Sequence, residues 1–153
     1  MTLCNMSIEI AYRSATVRDA AQLAEMNRCL IRDEGHRNSM DIAQLTERMT
    51  NWLAGDYSAV LFEGNGVGVG YALFRPESDH VYVRQFYVKD VFRRRGIGRA
   101  AIGWLWKNRW TESDRLRIDV LVSNVIGQEF WHSVGFREYC ITMEAANAQS
   151  PIP

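Results

Sequence analysis

Proline is scarce in this chain, three residues in 153, and so is cysteine, also three. Few prolines leave long stretches free to run as helix or strand without a forced break. Cys4, Cys29 and Cys140 are odd in number and far apart, with no metal-like spacing, which argues for reduced thiols rather than a disulfide scaffold. No apolar run approaches a transmembrane length, and the first residues carry neither the basic region nor the apolar core of a signal peptide. A soluble, cytoplasmic protein is the expectation. An excess of one charge is missing too: 18 basic residues balance 18 acidic ones. That argues against a general binder of nucleic acid or of membrane surfaces. No repeat, linker or biased stretch divides the chain, so residues 1–153 are read as one domain, able to bury about 70% of its unfolded surface. What is present is ordinary for an enzyme-sized globular domain, with 47% apolar and 24% charged residues.

One stretch organises the rest, from Val81 to Trp106. Val81, Val83, Gln85 and Tyr87 alternate with Tyr82, Arg84, Phe86 and Val88, and the β-branched and aromatic enrichment predicts a strand. Arg93, Arg94, Arg95, Gly96, Ile97 and Gly98 then open a segment whose apolar residues Ile97, Ala101, Trp104 and Leu105 share one helical face. The first turn of a helix has free N–H groups and the positive end of the macrodipole. Two glycines let a ligand approach the backbone, and arginines surround the opening, so a phosphate or pyrophosphate is the expected guest.

The flanking elements read in order. Residues 1–6 look like a loose tail, and Ile8, Ile10 and Tyr12 alternate as a first strand. Thr16-Val17-Arg18-Asp19 is a capping box before an amphipathic helix that runs to about Arg32. Asp33 to Asn38 is a polar interruption, and a second helix runs from about Asp41 to Gly55. Tyr57–Glu63 and Val67–Phe74 read as strands joined by Gly64-Asn65-Gly66, a hairpin signal because these residues accept positive φ. Gly68 and Gly70 on one face of the second strand imply close approach, by the first helices or by a ligand. Leu116 to Val122 is a further strand, Asn124 to about Val134 a helix, and Phe136–Met143 a last strand before a patternless tail. The order β-α-α-β-β-β-α-β-α-β implies an α/β fold of the α+β type, with a mixed central sheet flanked by helices.

Arg93-x-x-Gly96-x-Gly98 after Phe86-Tyr87-Val88 resembles the acyl-coenzyme A signature of the GCN5-related N-acetyltransferase (GNAT) family. Asn124, Phe130-Trp131 and Gly135-Phe136 resemble that family's second pattern, Asn, Phe-Tyr, Gly-Phe, and the element order extends the likeness over residues 7–143. The resemblance implies a single GNAT-like domain in which the strands ending near Val88 and Val122 run parallel but splay, with the pantetheine arm between them. It implies acetyl-CoA as co-substrate and no metal. Phe86, Tyr87, Val88, Arg93, Arg94, Arg95, Gly96, Ile97, Gly98, Arg99, Asn124, Gly127, Phe130 and Trp131 are then cofactor contacts, and the Val88 N–H is the oxyanion donor. The acceptor is a small-molecule or protein amine, and a homodimer is common in the family.

The reaction so implied needs a base. An ordinary lysine-type amine has a pKa about 3 units above neutral, so freeing it costs roughly 4 to 5 kcal/mol. The glutamate that family members often carry in the central strand is absent, since Arg84 and Gln85 stand there and neither is a base at neutral pH. Asp33, Glu34 and His36 lie in the region that lines the acceptor side in the family. They are the expected substrate-binding residues, with Glu34 or His36 as the base. Where the family commonly has a tyrosine to protonate the departing thiolate, this chain has Trp131, whose indole N–H is no usable acid. Tyr139, Cys140 or solvent are the substitutes. His80 and His132 read as surface residues.

Two other readings compete. Gly96 to Ala101 also matches the G-x-G-x-x-A turn of a dinucleotide-dependent oxidoreductase, with Asp119 near the place of a ribose-binding acid. Against it, seven residues separate Val88 from Gly96, three arginines crowd the turn, and only 34 residues follow Asp119. The missing tyrosine and strand carboxylate also fit a catalytically weak acyl-CoA-binding regulator.

Overall fold

The computed structural model describes residues 8–147. The expected loose tail over residues 1–6, Cys4, and the tail from residue 148 onward lie outside the described residues. Strand β1 is Ile10–Ser14. Thr16 and Asp19 form the expected capping box: Asp19 Oδ2 accepts from the Thr16 N–H at 2.8 Å, and Thr16 Oγ1 accepts from the Arg18 N–H at 3.3 Å. The box closes a 3-10 turn that runs straight into helix α1, Ala20–Glu34. That helix ends two residues beyond the expected Arg32. Gly35 takes a left-handed φ of 65°, its N–H donates to Arg32 O at 3.2 Å, and the His36 N–H donates to Ile31 O at 3.0 Å. This double closure satisfies carbonyls that would otherwise be orphaned, and it places Asp33 and Glu34 in the last turn of α1.

Helix α2, Ile42–Ala54, starts on a second capping box, in which Asp41 Oδ1 accepts from the Gln44 N–H at 2.8 Å and Gln44 Oε1 from the Asp41 N–H at 3.0 Å. Strands β2, Ser58–Gly64, and β3, Val67–Pro76, are joined by Asn65 and Gly66 at φ 52° and 78°, the tight hairpin that the residue types predict. Strand β4 is Val81–Val88, helix α3 Ile97–Asn108, strand β5 Leu116–Ile118 and helix α4 Val125–Ser133.

The five strands form one sheet in the order β1-β2-β3-β4-β5. The first four are antiparallel neighbours, and β5 joins β4 in parallel through the α3 crossover. A meander with one parallel pair is not a doubly wound sheet, which removes the dinucleotide fold. Each face of the sheet carries its own core. On one, Val60, Phe62, Phe74 and Val83 pack with Ile97, Ala101, Leu105, Trp110 and Trp131. On the other, Leu61, Tyr71, Leu73 and Tyr87 pack with Leu23, Met26, Leu30 and Met49 of α1 and α2.

The strict alternation expected along β4 is broken. Gln85 pairs with Leu73 while Val83 pairs with Phe74, so Arg84 is an extra residue in a β-bulge. Val81 and Val83 before the bulge face the same core as Phe86 and Val88 after it, while Tyr87 faces α1. A bulge shifts the inward set by one residue, which sequence alternation cannot display. Gly68 and Gly70 are crowded by protein: a Cβ at 68 would meet the Gln22 side chain of α1, and one at 70 would meet the Tyr87 carbonyl and the Phe62 ring.

Two expectations fail at the C-terminal end. Strand β5 is three residues long instead of reaching Val122, and Phe136–Met143 forms no strand. Ile141 and Met143 are 86% and 87% exposed. Alternation makes a strand only where a ladder partner exists, and beyond Ile118 the chain has left the sheet. Among the described residues no helix is long and apolar enough to cross a membrane.

Candidate active site

Parallel pairing of β4 with β5 covers only Val81–Leu116, Tyr82–Arg117 and Val83–Ile118. Strand β4 continues to Val88, so the two strands diverge into a wedge from Arg84 onward. Lys89 N–H donates to Val69 O at 2.8 Å, and strand alternation therefore turns the peptide groups of Val88 to the edge that β5 has left. The Val88 carbonyl there accepts from Arg93 Nε at 2.8 Å. On the far side of the wedge, Gln128 of α4 donates to Leu121 O at 3.1 Å and Val122 O at 2.9 Å. It holds the chain after β5 to α4 rather than to β4. Gln128 was not singled out from the sequence, although its place one turn after Asn124 is the signal that marks it.

At the mouth of the wedge lies the turn before α3. Arg94 and Gly96 adopt φ of 61° and 76°, both left-handed, and the first helical bond is Ala100 N–H to Gly96 O at 3.0 Å. The N–H groups of Ile97, Gly98 and Arg99 thus precede any intrahelical partner. The arginines divide. Arg93 donates to Asp33 Oδ2 at 2.7 Å as well as to Val88 O, and Arg99 donates to Ser133 O at 2.7 Å, tying α3 to α4. Arg94 and Arg95 are exposed at the turn. Gly96 has open space around it, whereas a Cβ on Gly98 would lie 3.0 Å from the Phe130 ring. The smallness of Gly98 therefore admits Phe130, and only Gly96 leaves room toward solvent.

The second pattern supplies one wall. Phe130 stacks on Phe86 with centroids 5.8 Å apart, and Trp131 packs edge-on against Phe86 and Phe136 at 5.3 and 4.9 Å. Trp131 is buried, so the indole acts as a core anchor between α4 and β4. Asn124 Oδ1 caps α4 by accepting from the Gly127 N–H at 3.0 Å. A Cβ at Gly127 would strike that same Asn124 side chain, so the glycine makes room for the cap.

A cleft of about 740 Å³ opens between this wall and the end of α1. Of the expected catalytic residues Glu34, His36 and Tyr139 line it, together with Phe86 and Trp131. Asp33 is separated from its neighbours because its carboxylate pairs with Arg93. Glu34 is half-buried, and burial, with the Asp33 charge adding, pushes its carboxyl up from the ordinary value. His36 is exposed at the rim. The Tyr139 hydroxyl accepts from Arg117 Nη2 at 3.2 Å, with that guanidinium 4.2 Å from its ring centre, and Cys140 is exposed on the same wall. His80 and His132 are committed to Asp79 and Glu138.

The floor holds further polar residues, of which Asn27, Arg48 and Tyr71 were not singled out as site residues from the sequence. Asn27 of α1, fully buried, accepts from Arg48 Nη2 of α2 at 2.9 Å, and the buried Tyr71 hydroxyl donates to Gln85 Oε1 at 2.7 Å. Arg84, displaced by the bulge, reaches Tyr57 Oη at 3.2 Å. Tyr82 donates to Asp119 at 2.9 Å, which occupies the acid that the dinucleotide reading would have used. Among the described residues no cluster of side chains could hold a metal ion.

Comparison with known proteins places these features in context. A solved aminoglycoside N-acetyltransferase, AAC(6')-Iy in complex with CoA, superposes with a TM-score of 0.75 at 15% identity, covering 95% of this chain and 99% of that one. A predicted acetyltransferase with acetyl-CoA from Clostridium acetobutylicum gives 0.72 at 18% identity, covering 90% and 96%. A ribosomal-protein-alanine N-acetyltransferase from Brucella melitensis biovar Abortus 2308 gives 0.69 at 16%, covering 90% and 99%. At such identities these structures speak for the fold. No curated protein sequence gives a significant match. The model of the acetyltransferase (GNAT) family matches residues 23–136, from the first helix through the aromatic wall, and the chain belongs to that family.

Proposed function

We propose that the protein transfers an acetyl group from acetyl-CoA to a primary amine by direct attack. The observation that carries this reading is the wedge: from Arg84 on β4 stays paired with β3 but no longer with β5, while Lys89 holds the Val88 peptide toward the open edge. An extended arm bearing amides fits such an edge, because exposed strand groups need hydrogen-bond partners. The pyrophosphate end fits the turn, where the N–H groups of Ile97, Gly98 and Arg99 and the exposed Arg94 and Arg95 surround one opening. Acetyl-CoA would supply an activated thioester there. The Val88 N–H, held on rigid backbone, faces the place where an oxygen gains charge.

Glu34 is the proposed base. It lines the cleft, makes no ion pair among the described residues, and is shifted toward the working pH by burial, as a proton acceptor should be. His36 at the rim is the second proton acceptor in line. With Trp131 buried, proton return to the thiolate falls to Tyr139, Cys140 or solvent at the outer wall. The exposed apolar series Tyr139, Ile141 and Met143 supports a second copy of the chain as a partner, which sedimentation velocity tests.

The test is release of free thiol from acetyl-CoA across a panel of amines. Thiol release that requires an amine is the expected result. The weaker reading, an acyl-CoA-binding regulator, is favoured by the absence of a carboxylate on β4, where Arg84 and Gln85 stand. Tight coenzyme A binding without amine-dependent release across the panel would establish it instead.

A further inference from the structure

The floor of the cleft carries two guanidinium groups that make no ion pair among the described residues. Arg48 and Arg84 come from different elements, α2 and the β4 bulge, yet their guanidinium carbons lie 4.4 and 4.7 Å from the centre of the same Trp52 ring. Both line the cleft, and among the described residues neither makes an ion pair with a carboxylate. Arg48 bonds Asn27 through Nη2, but its Nε is buried without any hydrogen-bond partner. Among the described residues Arg84 hydrogen-bonds to the neutral Tyr57 hydroxyl and otherwise lies over the Trp52 and Tyr57 rings. Burial and the neighbouring Arg84 charge both press on the Arg48 guanidinium, lowering its pKa from the ordinary value.

Two like charges held together at a solvent-facing floor repel unless an anion joins them, and a buried guanidinium N–H without an acceptor is costly. The ring between them attracts cations but accepts no proton. What satisfies both is an oxyanion, a carboxylate or a phosphate, two of whose oxygens match the guanidinium fork. Glu34 does not fill this role, since it makes no ion pair, and it shares the floor: the buried Tyr71 hydroxyl feels the charges of both Glu34 and Arg48. The cleft therefore offers an acid to an amine and two guanidinium groups to an anion.

Building on the transferase reading above, we propose that the acceptor is an amine that also carries an oxyanion, and that Arg48 and Arg84 bind this oxyanion on the cleft floor. Amino acids and phosphorylated amines have that chemistry. Polyamines and amino sugars do not, and would meet like charge at the floor.

The experiment compares thiol release for α-amino acids, the same compounds as carboxamides, phosphoethanolamine, and the cations spermidine and neamine. The oxyanion-bearing amines should show kcat/KM about tenfold or more above the amides. The better of the carboxylate and phosphate arms identifies the source. Arg48→Ala and Arg84→Ala should raise KM for the oxyanion amine by about tenfold while leaving the Kd of coenzyme A unchanged, and Arg84→Lys should restore part of the loss. Equal use of acids and amides, or preference for spermidine or neamine, overturns the proposal while leaving the transferase reading intact. Failure of every amine to release thiol counts against the transferase reading alone. In that event calorimetry of a panel of N-acetylated amino acids and their amides, titrated into coenzyme A-loaded protein, decides the oxyanion site. Tighter binding of the acids, lost in both alanine variants, supports it, and no such preference overturns it.

Discussion

Glu34 is where chemistry and stability pull against each other. Its folded-state pKa is raised, so its contribution to stability is fully present below the ordinary carboxylate value and is lost as pH rises through the folded value. At neutral pH the ionised group is a cost to the fold. Glu34→Gln should therefore raise Tm at pH 7.5 relative to the parent, with the gap closing on acidification to about pH 4. If Glu34 is the base, the same variant lowers kcat by about a hundredfold or more and its kcat profile loses the acidic limb. An unchanged kcat with a raised acceptor KM would assign it to positioning. Trp131 belongs to this scale as well: one substituted residue type in a family pattern announces a changed role, and the structure shows a buried anchor in place of an acid.

At the scale of elements, the turn before α3 and the start of α1 each invite a test. Arg93 and Arg99 are held by Asp33 and Ser133, which leaves Arg94 and Arg95 exposed at the α3 opening without an ion pair among the described residues. The pair Arg94→Glu and Arg95→Glu should weaken coenzyme A by about tenfold to a hundredfold in calorimetry at low salt, with unchanged circular dichroism. A substitution at Gly98 is a poorer probe, because a side chain there meets Phe130 before it meets a ligand. At α1, Asp19 accepts from the Thr16 N–H and from both Nη atoms of Arg13 at 2.9 and 3.1 Å. The Arg13 guanidinium, followed by the Thr16 bond, holds its carboxyl below the ordinary value. Its stabilisation is present above that value and disappears as pH falls through the folded pKa. Asp19→Asn should cost about 1 kcal/mol near pH 7 because the bond from the Thr16 N–H loses its charged acceptor, the exposed ion pair adding little, and should cost nothing once acid has protonated the parent. Urea melts at both pH values check this.

For the whole molecule, the segment after Phe136 separates folding from function. Over residues 137–147 its side chains are exposed, and the ion pair Arg37–Glu144 at 2.8 Å sits in solvent. Truncation after Phe136 should cost about 1 kcal/mol or less, a Tm shift of about 4 °C or less for a domain of this size. It should nevertheless raise the acceptor KM, because Tyr139 and Cys140 form part of the cleft wall. A loss of cooperative unfolding would show instead that the segment completes the core.

Taken alone, the sequence determined what depends on near neighbours in the chain. The two hairpin residues at positive φ, the capping box at Thr16 and the full span of β4 are local matters of sterics and hydrogen bonding, so each was legible from residue type and spacing. Tertiary structure decided what depends on partners. The Arg84 bulge turns Tyr87 to one core and Phe86 to the other, Phe136–Met143 finds no strand to pair with, and Asp33 leaves the acceptor group for Arg93. Arg48, in a helix that reads only as amphipathic, becomes part of the cleft floor because packing brings α2 beside the bulged strand. A long-range ion pair or a ladder partner is set by distances between segments far apart in sequence, and those distances exist only once both cores have closed on the sheet.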